Sequence, residues 1–119
     1  SYDGLEIKHR KVAILNKTGF SNKEFQLVSG DVSKTSYEFV HNNPGAKIAI
    51  LYLDVDLAEP TYQALVHFWP IVSDGGWIVL DEYSHHDWSE SKGVDRFCCE
   101  KGLRVRSLDC PAPTAYIIK

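Results

Sequence analysis

An uninterrupted apolar run that ends in two carboxylates constrains the fold of this 119-residue chain more than any other feature. Residues 47–54 read KIAILYLD, and Asp56 follows Asp54 after a single valine. A continuous run of Ile, Leu and Tyr predicts a strand buried on both faces, as in the parallel sheet of an α/β fold. Pro60 suits the first turn of a helix. We therefore predict a central strand over 47–54 followed by a helix.

A second apolar segment, residues 77–80, ends in Asp81 and Glu82. The carboxyl ends of parallel strands lie at one edge of a sheet, where ligands bind, so the four acids are expected to converge. Two carboxylates 4 Å apart repel by roughly 4 kcal/mol at an effective dielectric of 20, so such a cluster protonates, spreads apart or binds a cation. Its oxygen ligands suit Mg²⁺, Mn²⁺ or Ca²⁺. The alternative is that these acids are helix caps or solvated loop residues.

Helices and strands alternate along the rest of the chain. Helices are predicted over about 5–17, 33–42, 60–72 and 92–101, and further strands over 25–29, 104–108 and 115–118. Crossovers of this kind imply a mostly parallel sheet. The last two strands are joined by too few residues for a parallel crossover, so they are predicted to be antiparallel neighbours. We expect a single α/β domain over 1–119.

The composition excludes several classes of function. A formal net charge of -3 gives no electrostatic reason to expect a nucleic-acid partner. No apolar run approaches the roughly 20 residues that cross a bilayer, and the polar amino terminus is unlike a signal peptide. The three cysteines have no zinc-site spacing and are predicted to be reduced. These features predict a cytoplasmic protein that binds neither nucleic acid nor membrane.

Three strings together resemble the macrocin O-methyltransferase family: DVDLAEPT over 54–61, GGWIVLDEY over 75–83 and GVDRF over 93–97. The resemblance covers the chain from about residue 30 to residue 119. Members of that family use S-adenosylmethionine and a divalent metal to methylate sugar hydroxyls, and they have the class I methyltransferase fold. The resemblance thus implies a Rossmann-like sheet, mostly parallel, with an antiparallel pair of strands at the carboxyl end.

The resemblance also implies roles for individual acids. Asp54, Asp81 and Glu82 match the ligands of Mg²⁺ or a similar divalent cation, although the family normally has two Asp where this chain has Asp81 and Glu82. Asp56 matches the general base. Asp31 stands where the family contacts the adenine of S-adenosylmethionine.

Further candidates would contact a small-molecule hydroxyl acceptor. Tyr83 belongs to the matching string, and His85, His86 and Trp88 lie in the loop after it, where a lid or a sugar-binding wall is expected. Packing for Tyr83 and simple solvation for the loop residues are the alternatives. In the implied mechanism the metal orients the hydroxyl and lowers its pKa, and Asp56 removes its proton before methyl transfer.

One part of the family pattern is missing. Class I methyltransferases bind their cofactor through a glycine-rich turn after the first strand, and no G-x-G precedes Leu5. The resemblance therefore implies the carboxyl-terminal portion of a methyltransferase, without the first two strands of its sheet. An exposed sheet edge would then favour a homodimer. Whether such a chain is itself an active enzyme stays open at this point.

Two other interpretations remain. The chain could be a truncated methyltransferase-like domain without catalytic activity. A strand that ends in D-x-D also occurs in haloacid-dehalogenase-like phosphatases, where the first Asp is the nucleophile. That motif usually lies near the amino terminus and continues with Thr or Val, whereas this chain has Leu57 and no convincing lysine motif downstream.

Overall fold

The computed structural model describes residues 4–81, 83, 89–111 and 114–119. The chain divides into two compact units, 1–30 and 31–119. The first unit contains helix α1 (Gly4–Lys17), in agreement with the helix predicted over 5–17. The strand predicted over 25–29 is wrong, because these residues form no strand. Alternating apolar residues indicate a half-buried segment, but a strand also needs a neighbour for its backbone hydrogen bonds.

The second unit is an α/β structure. It contains α2 (Val32–Asn42), β1 (Ile48–Leu53), α3 (Ala58–Phe68), β2 (Val72–Leu80), α4 (Glu90–Lys101), β3 (Arg106–Ser107) and β4 (Ala115–Ile118), with a 3-10 turn at Trp69–Ile71. None of the helices in the described ranges combines the length and the apolar character that crossing a membrane requires.

The four strands form a mixed sheet in the order β1-β2-β4-β3. β1 and β2 are parallel, with Leu51 opposite Ile78 and Leu53 opposite Leu80. β4 is antiparallel to both β2 and β3, which confirms the antiparallel carboxyl-terminal pair. The expected α/β class is confirmed, although only one of the three pairings is parallel.

Two predicted strands differ from the observed ones. β1 was expected at the centre of the sheet, yet it lies at an edge, and Ile50 and Tyr52 are 68% and 58% exposed. β2 begins at Val72 rather than at residue 77, because Val72 already pairs with Ile48 of β1. The two glycines at 75 and 76 stay within β2, where pairing with the end of β4 prevails over their tendency to form a turn.

The core lies between the sheet and helices α3 and α4. Its largest apolar side chains, each at most 2% exposed, are Phe97, Leu65, Ile78, Leu80, Ile117, Val72 and Val94. Burial of such a side chain stabilises the fold by roughly 1.5–3 kcal/mol. α4 approaches α3 so closely at Gly93 that a Cβ atom there would lie 2.2 Å from the Ala58 carbonyl oxygen. This close approach brings the first residue of α4 to the loop that follows β1.

Candidate metal centre

Three carboxylates meet where β1 ends and α4 begins. Asp54 and Asp56 follow the last residue of β1, and Glu90 is the first residue of α4. One oxygen atom of each side chain lies within 4.8 Å of the other two. Asp54 is exposed, Asp56 is half-buried and Glu90 is buried. The group therefore opens to solvent on the Asp54 side and is closed by the helix on the other. We call Asp54, Asp56 and Glu90 the acidic group.

The backbone of Asp56 is held in an uncommon conformation. Its φ is 69°, in the left-handed region that Asp tolerates better than most residues. The Asp56 N–H donates to Glu90 Oε2 at 3.2 Å, and the Asp56 carbonyl accepts from the Ser89 N–H at 3.1 Å. The Ala58 N–H donates to Ser89 Oγ at 3.0 Å. Ser89 and Glu90 thus fix the loop that carries Asp56.

Glu90 is only 1% exposed, and its Oε1 atom has no hydrogen-bond partner among the described residues. Burial raises the pKa of Glu90 to about 7; Asp54 and Asp56 add to this rise, whereas the backbone N–H groups of Asp56 and Val55 oppose it. Two ionised carboxylates with oxygens about 4.8 Å apart repel by about 3.5 kcal/mol at an effective dielectric of 20. Uptake of a proton or of a cation relieves this repulsion.

The acidic group fits a divalent cation by two criteria. Its donors are carboxylate oxygens, the ligands that Mg²⁺, Mn²⁺ and Ca²⁺ prefer. The buried Glu90 Oε1 atom, which has no hydrogen-bond partner within the described ranges, is also available for coordination, since a native structure rarely leaves such an atom unsatisfied. Among the described residues, no cysteine belongs to a group of side chains that could hold a metal, and burial raises the pKa of Cys98 to about 11, with a smaller contribution from Asp95.

Asp81, a predicted metal ligand, lies at the end of β2 but is not a member of the acidic group. Its N–H donates to the Leu53 carbonyl at 3.0 Å and extends the pairing between β1 and β2. The Tyr52 hydroxyl forms a hydrogen bond with the Asp81 carboxylate. This bond is the main reason why the pKa of Tyr52 is raised, and desolvation adds a smaller contribution. The structure thus places Asp81 beside β1, with its carboxylate against Tyr52.

The remaining predicted site residues have other contacts or lie outside the described residues. Asp31 is the N-cap of α2, where its Oδ1 accepts from the Ser33 N–H at 2.9 Å. Tyr83 donates its hydroxyl hydrogen to the Asp95 carboxylate, on α4. The residues outside the described ranges are Glu82, His85, His86 and Trp88. Their roles, like those of Asp31 and Tyr83, stay predictions.

Sequence reasoning missed Glu90. A signal for it was present, because Glu90 lies on the same helical face as Gly93, Val94 and Phe97, which are all buried. Residues at spacings of three, four and seven share a face of a helix. An ionisable residue on an otherwise apolar face is rarely buried without a partner or a ligand.

Comparison with known proteins supplies the wider context. A family model described as macrocin-O-methyltransferase (TylF) matches residues 6–109. No curated protein sequence is significantly similar to the chain.

Among solved structures, the apo form of CalS11, a TDP-rhamnose 3'-O-methyltransferase in calicheamicin biosynthesis, has a TM-score of 0.80 and 24% identity, over 99% of this chain and 53% of that chain. A second CalS11 structure gives a TM-score of 0.81 and 24% identity, over 99% and 48% of the two chains. The structure of the O-methyltransferase NovP has a TM-score of 0.73 and 19% identity, over 90% of this chain and 42% of that chain. These likenesses establish the fold, and the chain spans about half the length of these structures.

Proposed function

Because this chain belongs to the macrocin-O-methyltransferase family, we propose that its acidic group serves the transfer of a methyl group from S-adenosylmethionine to a hydroxyl of a sugar or a similar small molecule. The observation that carries the proposal is the convergence of three carboxylate oxygens within 4.8 Å at the end of β1. The family match favours methyl transfer over phosphatase chemistry for the D-x-D motif. Since the chain spans about half of its solved relatives, the activity of a whole protein is part of the proposal.

Asp56 acts as the general base. Its carboxylate accepts the proton of the acceptor hydroxyl, so that the oxygen can attack a methyl carbon. The hydrogen bonds that Ser89 and Glu90 make to the Asp56 backbone keep this carboxylate from drifting, and small displacements of a base are costly to the rate.

Asp54, together with Asp81 and Glu82, would hold a divalent cation that supplies Lewis-acid character to the site. The exposure of Asp54 leaves room for an acceptor hydroxyl on the solvent side of the acidic group. S-adenosylmethionine, when bound, supplies the methyl group, and Asp31 is the residue proposed to contact its adenine. Tyr83 and the loop histidines, His85 and His86, with Trp88, are the proposed acceptor contacts.

A methyl-transfer assay tests the proposal. The 119-residue chain is incubated with S-adenosylmethionine, Mg²⁺ and TDP-rhamnose, the acceptor that the name of CalS11 gives, and S-adenosylhomocysteine is quantified. We expect product that depends on both acceptor and Mg²⁺. Asp56→Asn should lower the rate by about 100-fold or more, the usual contribution of a general base.

Asp109→Asn is the matched control. Asp109 is exposed, and its substitution makes the same change of charge away from the acidic group. It should retain the rate of the unmodified chain. Absence of S-adenosylhomocysteine from every reaction of the unmodified chain, with this acceptor and with other sugar nucleotides, would contradict methyl transfer and support a non-catalytic domain. Equal rates for Asp56→Asn and Asp109→Asn would contradict the role of Asp56.

A further inference from the structure

Glu90 has two carboxylate oxygens in different situations. Oε2 accepts the hydrogen bond from the Asp56 N–H at 3.2 Å. Oε1 is buried and has no hydrogen-bond partner among the described residues. A carboxylate that only fixed the loop would need one of these oxygens, and the second would be expected to find a donor or to face solvent. Within the described part of the chain, this arrangement therefore leaves one buried oxygen of Glu90 available to a ligand.

The surroundings of Glu90 identify the chemistry of that ligand. Its carboxylate has oxygens of Asp54 and Asp56 within 4.8 Å, so the group concentrates negative charge in one place. A neutral or anionic ligand would add nothing to offset this charge, whereas a divalent cation with hard-oxygen preference matches it. Oxygens within this distance of one another can coordinate a single ion.

We propose that Glu90 is a direct ligand of the divalent cation, coordinating it together with Asp54 beside Asp56. This inference rests on the proposed function, but it concerns a residue that the family resemblance does not include among the ligands. The hydrogen bond from the Asp56 N–H orients the Glu90 carboxylate, as outer contacts orient the ligands of metal sites generally. Glu90 thereby links the cation to the backbone of the proposed base.

A direct ligand can be distinguished from a residue that only fixes the loop. Glu90→Gln keeps an oxygen for the Asp56 N–H but removes the negative charge, so it preserves the loop contact and weakens coordination. Ser89→Ala does the opposite, because it removes the Oγ acceptor of the Ala58 N–H without altering any carboxylate. The pair of variants separates charge from loop geometry.

The experiment is a titration of the 119-residue chain with Mn²⁺. Binding is measured by calorimetry and, separately, by the electron paramagnetic resonance signal of the free ion. We expect Glu90→Gln to weaken Mn²⁺ binding by at least the ~10-fold that loss of an outer-shell partner costs a metal site. Ser89→Ala, which leaves every carboxylate in place, should weaken Mn²⁺ binding less than Glu90→Gln does, whereas Glu38→Gln, at an exposed glutamate on α2, should change the affinity by about 2-fold at most, as surface substitutions do. Thermal melting with a chelator present verifies that every variant is folded.

The outcomes separate this inference from the proposed function. Equal Mn²⁺ affinity in the unmodified chain and in Glu90→Gln, with binding lost in Asp54→Asn, would overturn the role of Glu90 and leave the metal site of the proposed function in place. A loss in Ser89→Ala as large as in Glu90→Gln would also overturn it, because loop geometry alone would then explain both. No Mn²⁺ binding by the unmodified chain would refute the metal centre as a whole.

Discussion

His67, on α3, is a titratable residue that joins two helices away from the acidic group. Its Nδ1 lies 2.8 Å from Ser36 Oγ, and Ser36 on α2 is buried. The Tyr37 ring packs edge-on against the imidazole at 5.5 Å and stacks on His41 at 3.9 Å. Burial lowers the pKa of His67, and the neighbouring His41 lowers it further. The neutral imidazole is therefore the form that the folded state favours.

This shift has a definite sign in stability against pH. The pKa of His67 is lower in the folded state than its ordinary 6.5. The stabilisation that neutral His67 contributes is therefore complete above pH 6.5 and is lost as the pH falls from there through the folded-state pKa. We expect urea unfolding at about pH 7.5 and 5.5 to show a smaller loss of unfolding free energy on acidification for His67→Gln than for the unmodified chain. Titration of Glu90 changes the free energy of unfolding in the opposite direction. This contribution is present in both the unmodified chain and His67→Gln, so it cancels when the two are compared.

His9→Gln is the control for this measurement, since His9 is an exposed histidine of α1. It should retain the pH dependence of the unmodified chain. An identical pH dependence for His67→Gln would show that His67 makes no contribution.

The acidic group shows what sequence can predict at the scale of single residues. Asp54 and Asp56 are adjacent to a strand in the sequence itself, so the local pattern indicates where they lie. Glu90 is 34 positions from Asp56, and only the packing of α4 brings it to the loop. Its burial on the face of Phe97 was readable from the helical period, but its proximity to Asp56 was not.

At the scale of elements, the position of α4 depends on one glycine. Gly93 lies where α4 crosses the start of α3, and a Cβ atom there would be 2.2 Å from the Ala58 carbonyl oxygen and 3.1 Å from the Tyr62 nitrogen. Backbone atoms cannot move aside as the end of a side chain can. Since Glu90 lies one turn earlier on α4, this contact also sets the distance between Glu90 and Asp56.

Gly93→Ala should therefore destabilise the fold despite the higher helix propensity of alanine. Alanine in a helix is favoured over glycine by about 1 kcal/mol, whereas overpacking against backbone costs about 1–3 kcal/mol or more. Because the contact is with backbone, the cost lies in the upper part of that range, and we expect a net loss of about 1–2 kcal/mol and a melting temperature lower by about 5–10 °C. Lys92→Ala, at the neighbouring exposed position, should melt close to the unmodified chain. A melting temperature for Gly93→Ala equal to or above that of Lys92→Ala would contradict the close contact.

Elements whose sequence signals are local were predictable, whereas elements that depend on a distant partner were not. The predicted helices over 5–17, 33–42 and 92–101 agree with α1, α2 and α4 within two residues, because their apolar period and end signals are local. Whether an apolar segment pairs depends on a partner elsewhere in the chain. Residues 25–29 have the alternation of a strand without a partner, whereas β2 begins early because Ile48 pairs with Val72.

At the scale of the whole molecule, the composition of β1 and its place in the sheet disagree. Its sequence is apolar throughout, which is typical of a strand with neighbours on both sides. In the described sheet it pairs with β2 alone, at the edge. The solved relatives are about twice as long as this chain. An edge strand of this composition presents unpaired backbone groups together with exposed apolar side chains, and it tends to pair with another strand.

We therefore expect the 119-residue chain to self-associate through β1. Sedimentation velocity over a range of concentrations should show a dimer, and Ile50→Lys should weaken its association by about 10-fold or more, because a charged side chain on an edge strand opposes pairing. Val66→Lys adds the same charge at another exposed apolar residue, on α3, and should leave the association unchanged. A monomer at every concentration would contradict the expectation. An equal effect of both substitutions would assign the association to general apolar surface, and only a selective effect of Ile50→Lys assigns it to the strand edge.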